Sequence, residues 1–139
     1  MLLLDTDHLS EFIRGAATGA ALRRRLDASR EPAFVSIITL EELNRGWLAR
    51  ISKARTAPAR VAAYQRYAAT WEALKNWEIL PWSENVDETF VRLVSEKIRI
   101  GTMDLRFASV ALAHNATLLT RNLRDFEKVP NLRVENWLD

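Results

Sequence analysis

Strands that alternate with helices from one end of the chain to the other predict a three-layer α/β/α domain around a central, mainly parallel five-stranded sheet. Three observations carry this expectation. Met1-Leu2-Leu3-Leu4 is an apolar run without alternation, which suits a short strand buried on both faces and therefore the middle of a parallel sheet. Further short apolar runs at Ala33–Ile37, Glu78–Leu80, Thr117–Thr120 and Leu132–Trp137 are separated by stretches with helical spacing. The first run stops on Asp5 and Asp7, which puts carboxylates at the carboxyl end of a strand, the edge where open parallel sheets bind ligands.

The totals set bounds. A chain of 139 residues supports one core, so one domain over residues 1–139 is expected. Hydrophobic residues make up 48% and charged residues 27%, the balance of an ordinary soluble globular protein, and four glycines with four prolines leave no composition for a disordered linker. With no cysteine there is neither a disulfide nor a thiolate metal site. No basic-then-apolar leader opens the chain and no apolar run approaches the ~20 residues of a membrane span, so a cytoplasmic protein is expected. The net charge is only +2, yet bases such as Arg23, Arg24, Arg25, Arg45, Arg50 and Arg55 crowd the segment from Arg14 to Arg66. That excess suits a face toward a polyanion such as nucleic acid, although long basic side chains also simply solvate helices.

Taken in order, Asp7 or Thr6 is expected to cap a helix from about His8, with Leu9, Phe12 and Ile13 on one face before Gly15. A second helix over Ala20–Ala28 carries Leu22 and Leu26. After the strand at Ala33–Ile37, Thr39 and Glu42 have capping-box spacing, and Ile38 and Leu43 that of a hydrophobic staple. A further helix starts near Pro58, and its stripe of Val61, Tyr64, Ala68, Trp71 and Leu74 predicts antiparallel pairing with the helix before it. Val86, Phe90, Val94 and Ile98 mark a helix to about Arg99, ended by Gly101. Asp104 opens the next, whose inner face is Phe107, Ala108, Ala111 and Leu112 and whose C-terminal cap is Asn115. Asn122–Glu127 is a short helical turn before the last strand.

The acids fall at one rim of this layout. Asp5 ends the first strand, Glu42 lies early in the helix after the second, Asp104 opens its helix, and Asp125 follows the fourth strand. Two unit charges 4 Å apart repel by about 4 kcal/mol at an effective dielectric of 20. Helix N-termini offset only roughly 0.3–1 kcal/mol each. A divalent cation is the natural remedy, and an all-oxygen donor set with only His8 and His114 besides points to Mg²⁺, with Mn²⁺ as an alternative, over Zn²⁺. Such a site activates water and steadies charge on phosphoryl groups, so phosphodiester hydrolysis is the inferred reaction class. Each acid also has a bland reading: Glu42 in a capping box, Asp104 in a first turn, Asp7 as a cap, Asp125 in the first turn of a helix capped by Asn122. Asp5 has the weakest structural excuse, and the joint occurrence favours chemistry.

Leu4-Asp5-Thr6-Asp7 with Leu9-Ser10-Glu11, Ser36 through Leu43, Ile100-Gly101-Thr102-Met103-Asp104 through Ala108, Leu119 through Phe126, and Val129 through Trp137 together resemble a PIN domain of the VapC toxin type. The resemblance runs nearly end to end. It implies a three-layer PIN-like fold and a Mg²⁺-dependent endoribonuclease acting as the toxin of a type II toxin–antitoxin pair, with RNA as substrate, a cognate antitoxin as partner and a homodimer as its assembly. The family's acids fall on Asp5, Glu42 and Asp104, with Asp5 and Asp104 expected to hold the metal and Asp125 to complete the site. The chain departs from the family at Asp7, where Asn is common, and at Asn122, where many members carry an acid. Two rival readings remain at this point. One is a catalytically weak RNA- or antitoxin-binding module, suggested by Asn122. The other is an Asp-nucleophile phosphatase of the haloacid-dehalogenase type, whose opening motif is similar but usually has Thr or Val where Leu9 stands.

Overall fold

The computed structural model describes residues 1–139. Its strands are β1 (Leu2–Leu4), β2 (Ala33–Ser36), β3 (Ile79–Leu80), β4 (Thr117–Leu119) and β5 (Arg133–Glu135), and its helices are α1 (Thr6–Arg14), α2 (Ala17–Ser29), α3 (Ile37–Lys53), α4 (Ala57–Leu74), α5 (Glu84–Ser95), α6 (Thr102–Ala113) and α7 (Leu123–Phe126). All strand pairs are parallel, in the order β3-β2-β1-β4-β5. The sheet is thus wholly rather than mainly parallel, because every strand-to-strand connection runs through at least one helix and none is a hairpin.

β1 is the central strand, and its three leucines are buried. Alternation sorts them between two cores. Leu3 and Leu118 point into a cluster with Val86 and Leu93 of α5 and Phe107, Ala108 and Ala111 of α6. Leu2, Leu4, Val35 and Leu119 point the other way, toward Leu9 of α1, Leu22 of α2 and Leu74 of α4. The chain therefore builds outward from β1 through β2 to β3 on one side, then places β4 and β5 on the other. The direction of winding reverses between β1 and β4, and a crevice opens there at the carboxyl ends of the strands.

Several boundaries differ from expectation, each for a local reason. α1 starts at Thr6, capped by Asp5, whose carboxylate accepts the His8 backbone N–H at 2.8 Å; neither Asp7 nor Thr6 is the cap. α3 starts at Ile37, with extended Ser36 in the cap position, so Thr39 lies inside the helix and the capping box does not form. α5 stops at Ser95, with Lys97 in the left-handed region at φ 55°, short of Arg99. Gly101 instead takes the N-cap position of α6, which opens at Thr102. The C-cap of α6 is His114 rather than Asn115, which comes next, in the left-handed conformation at φ 51°.

Candidate active site

The crevice between β1 and β4 holds a cavity of about 190 Å³ lined by Asp5, Thr6, Asp7, Glu42, Asp104, Phe107, Thr120, Asn122 and Phe126. Three of the predicted acids meet here because three elements end or begin at one level. Leu4 pairs with Leu119, which puts Asp5 beside Thr120, and the Asp5 N–H donates to Leu119 O at 3.0 Å. Glu42 comes from the second turn of α3, and Asp104 from the first turn of α6.

Asp5 is held more firmly than its neighbours. Its Oδ1 receives the His8 backbone N–H at 2.8 Å and stands 3.1 Å from His8 Nδ1, while Oδ2 makes no hydrogen bond to protein. Only 15% of its side chain is exposed, against 49% for Asp7, which turns outward to Arg121 at 3.1 Å. Glu42 accepts from the Thr6 hydroxyl at 2.5 Å, with the Thr39 hydroxyl 3.3 Å from Thr6. Burial raises the Glu42 pKa against the opposing pull of that hydrogen bond, and the charges of Asp104, Asp5 and Glu41 raise it further. Asp104 is raised by burial first, then by Asp125 and Asp5. The cavity thus brings the carboxylates of Asp5, Glu42 and Asp104 together with no lysine or arginine among its lining residues.

Asp125 stands apart from the other three. It does not line the cavity, its side chain is 38% exposed, and it pairs with Lys128 at 3.4 Å. Its pKa is lowered chiefly by the hydrogen bond from Asn122, then by Lys128 and Arg124. Asn122 links it to the site: Nδ2 stands 3.1 Å from Asp125 Oδ2 and 3.4 Å from Asp104 Oδ2. The network therefore assigns the amide nitrogen, not the oxygen, to the acids. Asn122 occupies the cap position of α7 without a side-chain cap bond, so the cap reading does not hold.

Sequence reasoning missed the Thr6–Glu42 bond and the partners of His8. His8 is buried, with Nδ1 beside Asp5 and Nε2 accepting the Trp137 backbone N–H at 3.2 Å. The spacing of three residues between Asp5 and His8 within one helical turn was the available signal. His114 lies outside the cavity, at the C-cap of α6.

As the side chains stand, no group of three acidic or histidine residues is disposed to hold a metal ion. The donor chemistry nevertheless suits a hard cation. Mg²⁺ is commonly held by one or two carboxylates with water completing its shell, and two carboxylates with hydroxyl and amide groups nearby meet that requirement.

A family model described as PIN domain matches residues 2–132. The chain belongs to the PIN-domain family. Among curated relatives, Ribonuclease VapC1 of Rickettsia felis is 30% identical over 107 residues, covering 73% of this chain and 74% of that one. Ribonuclease VapC2 of the same organism is 46% identical over 50 residues, a match that spans 36% of this chain and only 37% of the relative. Among solved structures, a chain in the crystal structure of VapBC2 from Rickettsia felis bound to a promoter DNA fragment superposes with a TM-score of 0.75 at 28% identity, covering 98% of both chains. The five-stranded parallel sheet and its two helical layers are the three-layer PIN fold expected from the sequence. No helix is long and apolar enough to cross a membrane.

Proposed function

We propose that this PIN domain is a Mg²⁺-dependent endoribonuclease of the VapC type, the toxin of a type II toxin–antitoxin pair, with Mn²⁺ able to replace Mg²⁺. The observation that carries the reading is the cavity at the β1/β4 crevice, where Asp5, Glu42 and Asp104 converge and burial raises the pKa of the last two. The names of the relatives, ribonucleases in each case, support the choice of RNA.

Asp5 and Asp104 are the residues that would hold the cation. When bound, it would supply Lewis acidity, lowering the pKa of water and offsetting charge on the phosphoryl oxygens. Glu42, fixed by Thr6, orients the attacking water. Asp125 acts from the outer shell, through Asn122 or a water molecule. Water rather than a ribose hydroxyl is the nucleophile, since attack by a 2′-hydroxyl wants an acid and a base titrating near neutrality. Both nitrogens of His8 are engaged and His114 lies elsewhere, so no such pair faces the cavity.

The partner is a small antitoxin, as the VapBC composition of the similar structure supports. A groove of about 310 Å³ lined by Ile13, Arg14, Leu43, Trp47 and Arg50 shares Glu42 with the cavity. It suits an apolar segment with a basic side chain reaching the carboxylates. Self-association as a homodimer and a cytoplasmic location complete the reading. Cleavage of single-stranded RNA with and without EDTA, with analysis of the ends, tests it: metal-dependent cleavage without 2′,3′-cyclic phosphate is expected. Full activity in EDTA, cyclic ends, or hydrolysis of a small phosphomonoester instead of RNA would overturn it.

A further inference from the structure

The Asp5 carboxylate is tied to the far end of the chain through one buried imidazole. His8 is fully buried in α1, and both its ring nitrogens are used. The Trp137 backbone N–H donates to Nε2 at 3.2 Å, so Nε2 presents its lone pair and the ring proton sits on Nδ1, aimed at Asp5 Oδ1 3.1 Å away. A backbone donor cannot change its role, so the tail dictates the tautomer. Trp137 is in turn held by the Arg25 guanidinium, 4.3 Å above its ring, and by its indole N–H donating to Glu135 at 2.6 Å.

We infer that His8 is a positioning residue for metal binding: it commits Oδ1 of Asp5 to two protein donors and leaves Oδ2 as the one oxygen free to meet a cation. The inference rests on the reading of Asp5 as a metal ligand given above. Its physical basis is rotational. A carboxylate held only by a cap bond can still turn about its last torsion, and the second donor, from the ring, removes that freedom. His8 does not touch the cavity and takes no part in the reaction itself.

Two substitutions separate its two contacts. In His8→Asn the amide nitrogen stands near the place of Nδ1 and keeps the bond to Asp5; in His8→Gln the amide reaches the place of Nε2 and gives up Asp5. Mn²⁺ affinity, measured by calorimetry on metal-free protein shown to be folded by circular dichroism, should fall by about tenfold or more in His8→Gln and by much less in His8→Asn. Equal affinities in wild type, Asn and Gln variants would overturn the inference. Failure of the wild-type protein to bind Mn²⁺ would instead overturn the metal reading beneath it. Imidazole ¹⁵N spectra of the wild-type protein provide a check that needs no variant. They should show His8 protonated on Nδ1 alone, with a Mg²⁺-induced shift at that nitrogen and none at His114. A proton on Nε2, or no shift at a Mg²⁺ concentration that saturates the protein, would overturn it.

Discussion

The Thr6 hydroxyl donates to Glu42 Oε1 at 2.5 Å, joining the first residue of α1 to the second turn of α3. This bond lowers the Glu42 pKa against the burial that raises it and fixes which way the carboxylate faces. Thr6→Val keeps the volume and removes the donor. We expect kcat on RNA to fall by about tenfold with KM little changed, the pattern of lost positioning rather than lost binding. An unchanged kcat would show that Glu42 needs no help from Thr6.

Asp104 and Asp125 share Asn122, and the proposed reading gives them different roles. Asp104→Asn should abolish turnover at any Mg²⁺ concentration, whereas Asp125→Asn should raise the Mg²⁺ concentration needed and keep much of the maximal rate. Equal loss in both would make Asp125 a direct ligand, and a change in thermal stability alone would make it purely structural. Asn122→Asp replaces a donor between two acids with a third charge. It should tighten Mg²⁺ binding while costing the metal-free protein about 1 kcal/mol, the scale of partly exposed charge pairs.

The raised carboxylates give a pH dependence of definite sign. For Glu42 and Asp104 the folded pKa lies above the unfolded reference values of 4.5 and 3.8. Their contribution to stability is therefore fully present below those values and is lost as pH rises through the folded ones. Glu42→Gln and Asp104→Asn should each stabilise the metal-free protein at pH 7, by on the order of 0.5 kcal/mol once solvent screening is allowed for, and the gain should vanish in acid. Thermal melts across this range check it. A gain that persists at low pH would assign the effect to something other than charge.

Two glycines in helices have opposite expectations. A methyl group at Gly46 in α3 would meet nothing within 4 Å, so Gly46→Ala should stabilise by about 0.5–1 kcal/mol. At Gly19 the same methyl would stand 2.1 Å from the Glu11 carbonyl oxygen, where α2 crosses α1. Gly19→Ala should cost about 1–3 kcal/mol through displaced backbone. Chemical denaturation of the two variants measures both.

Much of this was legible in the residues themselves. An unalternating Leu2-Leu3-Leu4 has to be a strand covered on both faces, so Asp5 has to lie at the carboxyl rim; Glu42 follows because α3 starts directly after β2, and Asp104 because α6, although it follows α5, leads into β4 and so has to begin at the rim opposite the start of that strand. Local patterns of apolar spacing carry such information, and the same patterns implied helices on both sides of the sheet. They carry none about which strand lies beside which. Only the order β3-β2-β1-β4-β5 brings Thr120 and Asn122 next to Asp5, opens the crevice at β1/β4, and leaves Asp125 outside the cavity. The partners of the polar groups were equally hidden. Thr6 meets Glu42 across 36 positions and His8 meets Trp137 across 129, because hydrogen bonds between distant segments are set by how packed layers align and not by any periodicity along the chain.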